Sequence, residues 1–148
     1  MLPKMAVAMG LVVSSLALAQ DGGVIHRSNA SKGPETQQFT ISRQMENVTI
    51  HYYAAHCVHG DGGSQIGAEI HIVAQGGNFS RTLRHTEAAK PSVNELVRTE
   101  GPFWFPPGRY SYTVSGIGQG SDLKATAACI GQGEACGPNP FAGTTTSC

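Results

Sequence analysis

Tyr110-Ser111-Tyr112-Thr113-Val114-Ser115-Gly116, followed by a glycine-rich link to Leu123-Lys124-Ala125-Thr126-Ala127-Ala128-Cys129, is the stretch that decides the fold class. Tyr110, Tyr112 and Val114 alternate with Ser111, Thr113 and Ser115, the two-residue period of a strand with one apolar and one polar face. Gly116, Gly118 and Gly120 supply the backbone conformations that a reversal needs. Leu123, Ala125, Ala127 and Cys129 then resume the alternation against more polar partners. The expectation is strand, turn, strand.

The same grammar extends towards the N-terminus. Phe39 and Ile41 alternate with Thr40 and Ser42, and Asn47 to Val58 is dense in β-branched and aromatic residues. In the second stretch Val48, Ile50, Tyr52 and Ala54 share the parity expected to face a core, with Thr49, His51, Tyr53 and Cys57 on the other face. Gly60-Asp61-Gly62-Gly63-Ser64 reads as a hairpin turn into a strand around Ile70 and Ile72, with a further short strand over 79–84, so a three-stranded meander is expected. Residues 85–94 are the one place allotted a short helix or ordered loop. Leu96 to Thr99 reads as a weak strand broken by Gly101-Pro102.

About seven short strands with glycine turns, and no amphipathic helix, predict an all-β fold: an antiparallel β-sandwich, immunoglobulin-like or jelly-roll-like, with two disulfides. Pro107-Gly108-Arg109-Tyr110-Ser111-Tyr112-Thr113-Val114-Ser115-Gly116 resembles the hairpin strand of many immunoglobulin-like and jelly-roll modules. That resemblance implies architecture and transfers no activity.

The N-terminus has a different character. Lys4 precedes an apolar run from Met5 to Leu18, and Ala17-Leu18-Ala19 supplies a small-x-small cleavage site. Residues 1–19 are therefore expected to be a signal peptide, too short to span a bilayer. Residues 20–38, polar and without either period, are expected to form a flexible arm, residues 39–130 the sandwich, and residues 131–148 a Gly/Pro-rich tail closed by a disulfide. Secretion, or a periplasmic location in a bacterium, follows from this reading. The cysteines, Cys57, Cys129, Cys136 and Cys148, agree with an oxidising compartment. Three pairings exist; joining Cys57 with Cys129 and Cys136 with Cys148 is favoured, although Cys57 has the polar parity of its strand and Cys129 the apolar parity of its own. Three sequons, at Asn29, Asn47 and Asn78, would permit glycosylation on a eukaryotic secretory route.

Without Lys4, 9 basic residues face 10 acidic ones, scattered singly. No basic stripe suits nucleic acid, and no cluster suits anionic membranes. Ala54-Ala55-His56-Cys57 resembles the histidine motif of trypsin-like proteases, and Gly60-Asp61-Gly62-Gly63 their serine motif with glycine in place of the nucleophile. The chain is also far shorter than that family's two-barrel domain. His51, His56, His59 and His71 offer neutral imidazoles suited to zinc or copper, with His51 and His71 expected to meet across adjacent strands. Phe103-Trp104-Phe105, which holds the single tryptophan, is either a stacking surface for a carbohydrate or protein partner or a plug in one end of the core.

The leading expectation is a secreted, non-catalytic binding module needing no cofactor, its partner an extracellular protein, a glycan or a surface. An exposed Trp104 would also suit self-association. A histidine-centred zinc or copper protein and an unrecognised hydrolase are the other classes.

Overall fold

The protein is described from a computed structural model, which covers residues 23–28, 36–60, 65–118, 121–144 and 147–148. These residues contain eight strands and no helix: β1 (Val24–Arg27), β2 (Thr36–Ile41), β3 (Met45–Val58), β4 (Gln65–Ala74), β5 (Ser80–Ala88), β6 (Ser92–Phe105), β7 (Gly108–Ile117) and β8 (Ser121–Gln132). They build two four-stranded antiparallel sheets, ordered β1-β8-β3-β6 and β2-β7-β4-β5. The expected signal peptide and Asn29 lie outside the described residues.

The pairing is nested. β4 pairs with β5, β3 with β6, β2 with β7 and β1 with β8, as in one long hairpin whose two arms run side by side. Rolling that hairpin up adds the pairs β3·β8 and β4·β7 and splits it into two facing sheets. The result is a jelly roll, which settles the choice left open between the two sandwich types.

Four local expectations are corrected. β3 does not turn back on β4, nor β7 on β8; each pair instead belongs to different sheets, so of the expected meander only β4·β5 is a hairpin. Crossing between sheets lets the apolar faces of consecutive strands confront each other across the core, which a flat meander could not do. Residues 85–94 form no helix but the end of β5 and the start of β6, where the Asn94 side chain closes the turn through the backbone N–H and C=O of Lys90. Gly101-Pro102 does not break its strand: β6 lies at a sheet edge, where a missing N–H is tolerated, and register shifts opposite β3 absorb the irregularity. Within 20–38, Val24–Arg27 and the first residues of β2 are strands, because a backbone ladder needs no apolar period.

Between the sheets, Val48, Ile50, Tyr52 and Ala54 of β3 pack against Ala68, Ile70 and Ile72 of β4 and Tyr110, Tyr112 and Val114 of β7. Phe39, Phe79, Phe105 and Tyr110 form an aromatic knot at one end, with Phe39 and Tyr110 stacked at 5.2 Å between centroids. His26 of β1 meets the Tyr112 hydroxyl at 2.8 Å, tying the edge of one sheet to the other. Burial lowers the pKa of His26 and pushes that of Tyr112 up to about 12, so both stay neutral near pH 7.

β3 is buried on its second face too. Tyr53, Ala55, Ala125 and Ala127 form a smaller cluster on the outside of the β1-β8-β3-β6 sheet, under Phe141 of the C-terminal tail. The disulfides are Cys57–Cys148 and Cys129–Cys136, which corrects the favoured pairing. Cys129 lies opposite His51 and Cys57 opposite Asp122, so the two cysteines are separated by about six residues of strand, roughly 20 Å, where a disulfide tolerates about 7 Å between Cα atoms. The parity conflict dissolves as well. Ala125, Ala127 and Cys129 face outward with Cys57, and their apolar character serves the tail. The tail comes this close because Gly131 has no side chain: a Cβ there would stand 3.2 Å from the Cys136 sulfur.

Proteolytic mapping of the unreduced protein should recover Cys57 linked to Cys148. With separations of 91 and 7 residues, the two disulfides should contribute unequally. On the chain-entropy relation, replacing Cys57 and Cys148 by Ser should cost about 4.5 kcal/mol in denaturant unfolding, and replacing Cys129 and Cys136 about 2.5 kcal/mol.

Candidate functional site

The outer face of the β1-β8-β3-β6 sheet is organised in rows. Arg27, Cys129, His51 and Thr99 follow one another across the four strands; Ala127, Tyr53 and Val97 form the next row, and Ala125, Ala55 and Glu95 the one after. The tail covers the β1 and β8 side. Arg27 clamps it there, donating to the carbonyls of Pro140 and Cys136 at 2.9 and 3.3 Å, while the Phe141 ring packs tilted against Tyr53 at 5.4 Å between centroids. A run of tight turns, from Ala135 N–H to Gln132 C=O through Thr144 N–H to Phe141 C=O, keeps the tail compact.

The β6 side stays open, leaving a trough between the tail and the edge strand, floored by β3. It consists of two adjoining hollows that share Pro138. The larger, about 500 Å³, has a polar floor of Asn47, Thr49, His51 and Thr99, with Glu134 on the tail side. The smaller, about 240 Å³, is lined by Tyr53, Glu95, Val97 and Phe141. There the Tyr53 hydroxyl donates to the Glu95 carboxylate at 2.9 Å.

Trp104 belongs to this face. Phe103 and Phe105 pack on the core, so the residue between them points outward, and Trp104 is 48% exposed. Pairing of Phe105 with Met45 and of Phe103 with Val48 puts Trp104 across from the segment that carries Asn47, a residue of the larger hollow. Val97, 51% exposed, lines the smaller hollow on the same strand. The two alternatives for the aromatic triplet are thus divided: the phenylalanines plug the core and the tryptophan faces out.

His51 is the most constrained polar group of the trough. It is 6% exposed; Nδ1 lies 2.8 Å from the Thr99 hydroxyl, and the buried Nε2 has no hydrogen-bond partner. Burial, and secondarily the charge of Arg27, lower its pKa, so the ring is neutral at pH 7.

The other histidines go elsewhere, because β3 and β4 are in different sheets. His51 and His71 therefore occupy opposite outer faces, and His71 pairs with Thr82. His56 lies inside, its Nε2 2.9 Å from the Gly67 carbonyl and its Nδ1 3.2 Å from the Ser121 hydroxyl. Gly116 makes room for it: a Cβ there would stand 2.9 Å from the imidazole Cε1. His59 pairs with Asp122 at the far end of the sandwich. Among the described residues no three His, Cys, Asp or Glu side chains are grouped as metal ligands. Asn47 and Asn78 are both exposed, and Asn47 lines the trough.

Thr49, Thr99, Glu95, Glu134 and Phe141 escaped the sequence reading. Threonines in strands and a phenylalanine in a turn-rich tail carry no signal of their own; they become a site only when the tail is folded back by its disulfides.

No protein-family model matches the chain, and no curated protein matches it. Among solved structures, a chain from the structure of infectious bursal disease virus, Gx strain, is similar over 74% of this chain and 29% of its own length, with 12% sequence identity and a TM-score of 0.33. This chain thus spans less than a third of that one. The jelly roll is assigned from its strand order and register, and the two disulfides suit an oxidising, extracellular-type environment.

Proposed function

We propose that the protein is a secreted binding module whose trough on the β1-β8-β3-β6 sheet takes a glycan chain laid along β6. The observation that carries this reading is Trp104, half exposed and across the sheet from the segment that carries Asn47 of the polar trough, while both flanking phenylalanines pack inside. Sugar rings present apolar faces that stack on an indole and hydroxyls that need fixed donors and acceptors. This face supplies both, with Asn47, Thr49, Thr99 and Glu134 along the trough and Trp104 on the same edge strand, across from the segment that carries Asn47. A stable protein interface would instead centre on a desolvated apolar anchor, and this floor is too polar for one.

Trp104 is also the single tryptophan, so its fluorescence reports on the site without labelling. Titration of the oxidised mature protein with a panel of neutral and acidic oligosaccharides should give a saturable emission change with at least one. For that sugar, Trp104→Ala should weaken binding about tenfold or more by calorimetry, roughly the 1.4 kcal/mol of one lost stacking contact. Wild-type affinity in Trp104→Ala, or a panel without any response, would sink the proposal.

The trough histidine sets a pH dependence. His26 and His51 have lowered pKa values in the folded protein, whereas the unfolded chain protonates them near the ordinary 6.5. Below that pH the unfolded state binds more protons, so stability falls as the pH drops from 6.5 towards the folded values. The melting temperature should decline by some degrees between pH 7.5 and 5, and His51→Gln should lessen the slope.

A further inference from the structure

Among the described residues, Arg81 is the cation seated over aromatic rings. Its partner across the β4·β5 ladder is Ile72, so its side chain leaves the inner face of the sandwich, and β5 is an edge strand. The guanidinium carbon lies 4.2 Å from the centroid of Phe103, on the edge strand of the other sheet, and 5.6 Å from that of Phe79. Arg81 therefore spans the open side of the jelly roll between β5 and β6. Its Nε is buried without a hydrogen-bond partner, and among the described residues no carboxylate or carbonyl pairs with the guanidinium. Two other arginines are engaged by polar partners: Arg84 by Glu69 and Arg27 by two tail carbonyls.

Two further arginines lie on the same end of the sandwich. Arg43 lies in the β2–β3 link and Arg109 is the second residue of β7, and both segments lie at the end of the sandwich where β5 starts. Of the carboxylates, Glu46 alone lies on these strand ends among the described residues; Glu100, further along β6, accepts from the Tyr52 hydroxyl. Stacking on two rings holds the side chain extended and planar, so little further ordering is needed when its remaining N–H groups meet a ligand. A planar fork with no hydrogen-bond partner among the described residues matches the paired oxygens of an oxyanion. Edge strands add unpaired backbone N–H groups beside it.

We propose that Arg81, clamped by Phe79 and Phe103, anchors an oxyanion-binding site at the open β5/β6 edge, taking a carboxylate, sulfate or phosphate group. The site is independent of the trough, which lies on the other face of β6: Phe103 serves one and Trp104 the other.

The test uses the oxidised mature protein and follows the Arg81 Nε–H resonance by NMR. Sodium sulfate, at constant ionic strength against chloride, should shift it saturably. Arg81→Gln, which keeps part of the stem on the Phe103 ring, should weaken sulfate binding about tenfold or more by calorimetry. Arg81→Lys, with charge but no fork, should bind several-fold more weakly than wild type. Trp104→Ala should leave sulfate binding intact, which separates this site from the glycan reading. A sulfated oligosaccharide binding more tightly than both free sulfate and its desulfated counterpart identifies a saccharide-borne anion; affinity equal to that of free sulfate identifies a free one, and either supports the site. Equal response to chloride, or wild-type sulfate affinity in Arg81→Gln, overturns it.

Discussion

β3 is buried on both faces, and the second burial depends on the tail being held against the outside of its sheet. Tyr53, Ala55, Ala125 and Ala127 would otherwise form an apolar surface on an exposed sheet. Two disulfides, the Arg27 clamp and the Tyr53–Phe141 contact keep the tail in place. The disulfides dominate in energy. The ring pair contributes about 1 kcal/mol beyond its area, and the Arg27 hydrogen bonds are partly solvated and correspondingly weaker. Cys129–Cys136 fixes the start of the tail over the row of Arg27, His51 and Thr99. Cys57–Cys148 returns its end to the far part of β3.

The trough is a consequence of that covering. The tail occupies the β1 and β8 side and stops short of β6, so the uncovered half of the face becomes a concavity with a strand edge for one wall and the tail for the other. His51 sits where covered and open halves meet, which is why it is buried, neutral and unsatisfied at Nε2. The same edge strand manages its exposure in the way open sheets commonly do. Its register shifts and its Pro102 interrupt the flat ladder that an aggregating neighbour would need.

Strand β6 also divides the protein's chemistry by face. Alternation sends Phe103 and Phe105 inward and Trp104 outward, so three consecutive aromatic residues serve the clamp on Arg81, the core knot and the rim of the trough. The proposed glycan trough and the proposed oxyanion site therefore stand back to back across one strand. Their separation is a property of the two-residue period and needs no extra domain.

By itself the sequence determined that the protein is all-β, which faces of β2, β3 and β7 are apolar, and that an even set of cysteines suits an oxidising environment. These are local matters of periodicity and composition, written residue by residue. Tertiary structure decided which strands are neighbours, because alternation fixes the face a side chain takes and is silent on which strand lies beside it. Hence the turns after β3 and β7 looked like hairpins and are crossings between sheets. The alanines of β8 looked like core and lie under the tail, since both faces of that strand are apolar: Ala128 and Ile130 inside, Ala125 and Ala127 outside. The cysteine partners and the divergence of the histidines onto separate faces follow from that rolled topology. Each depends on contacts between residues far apart in the chain, where local pattern carries no information.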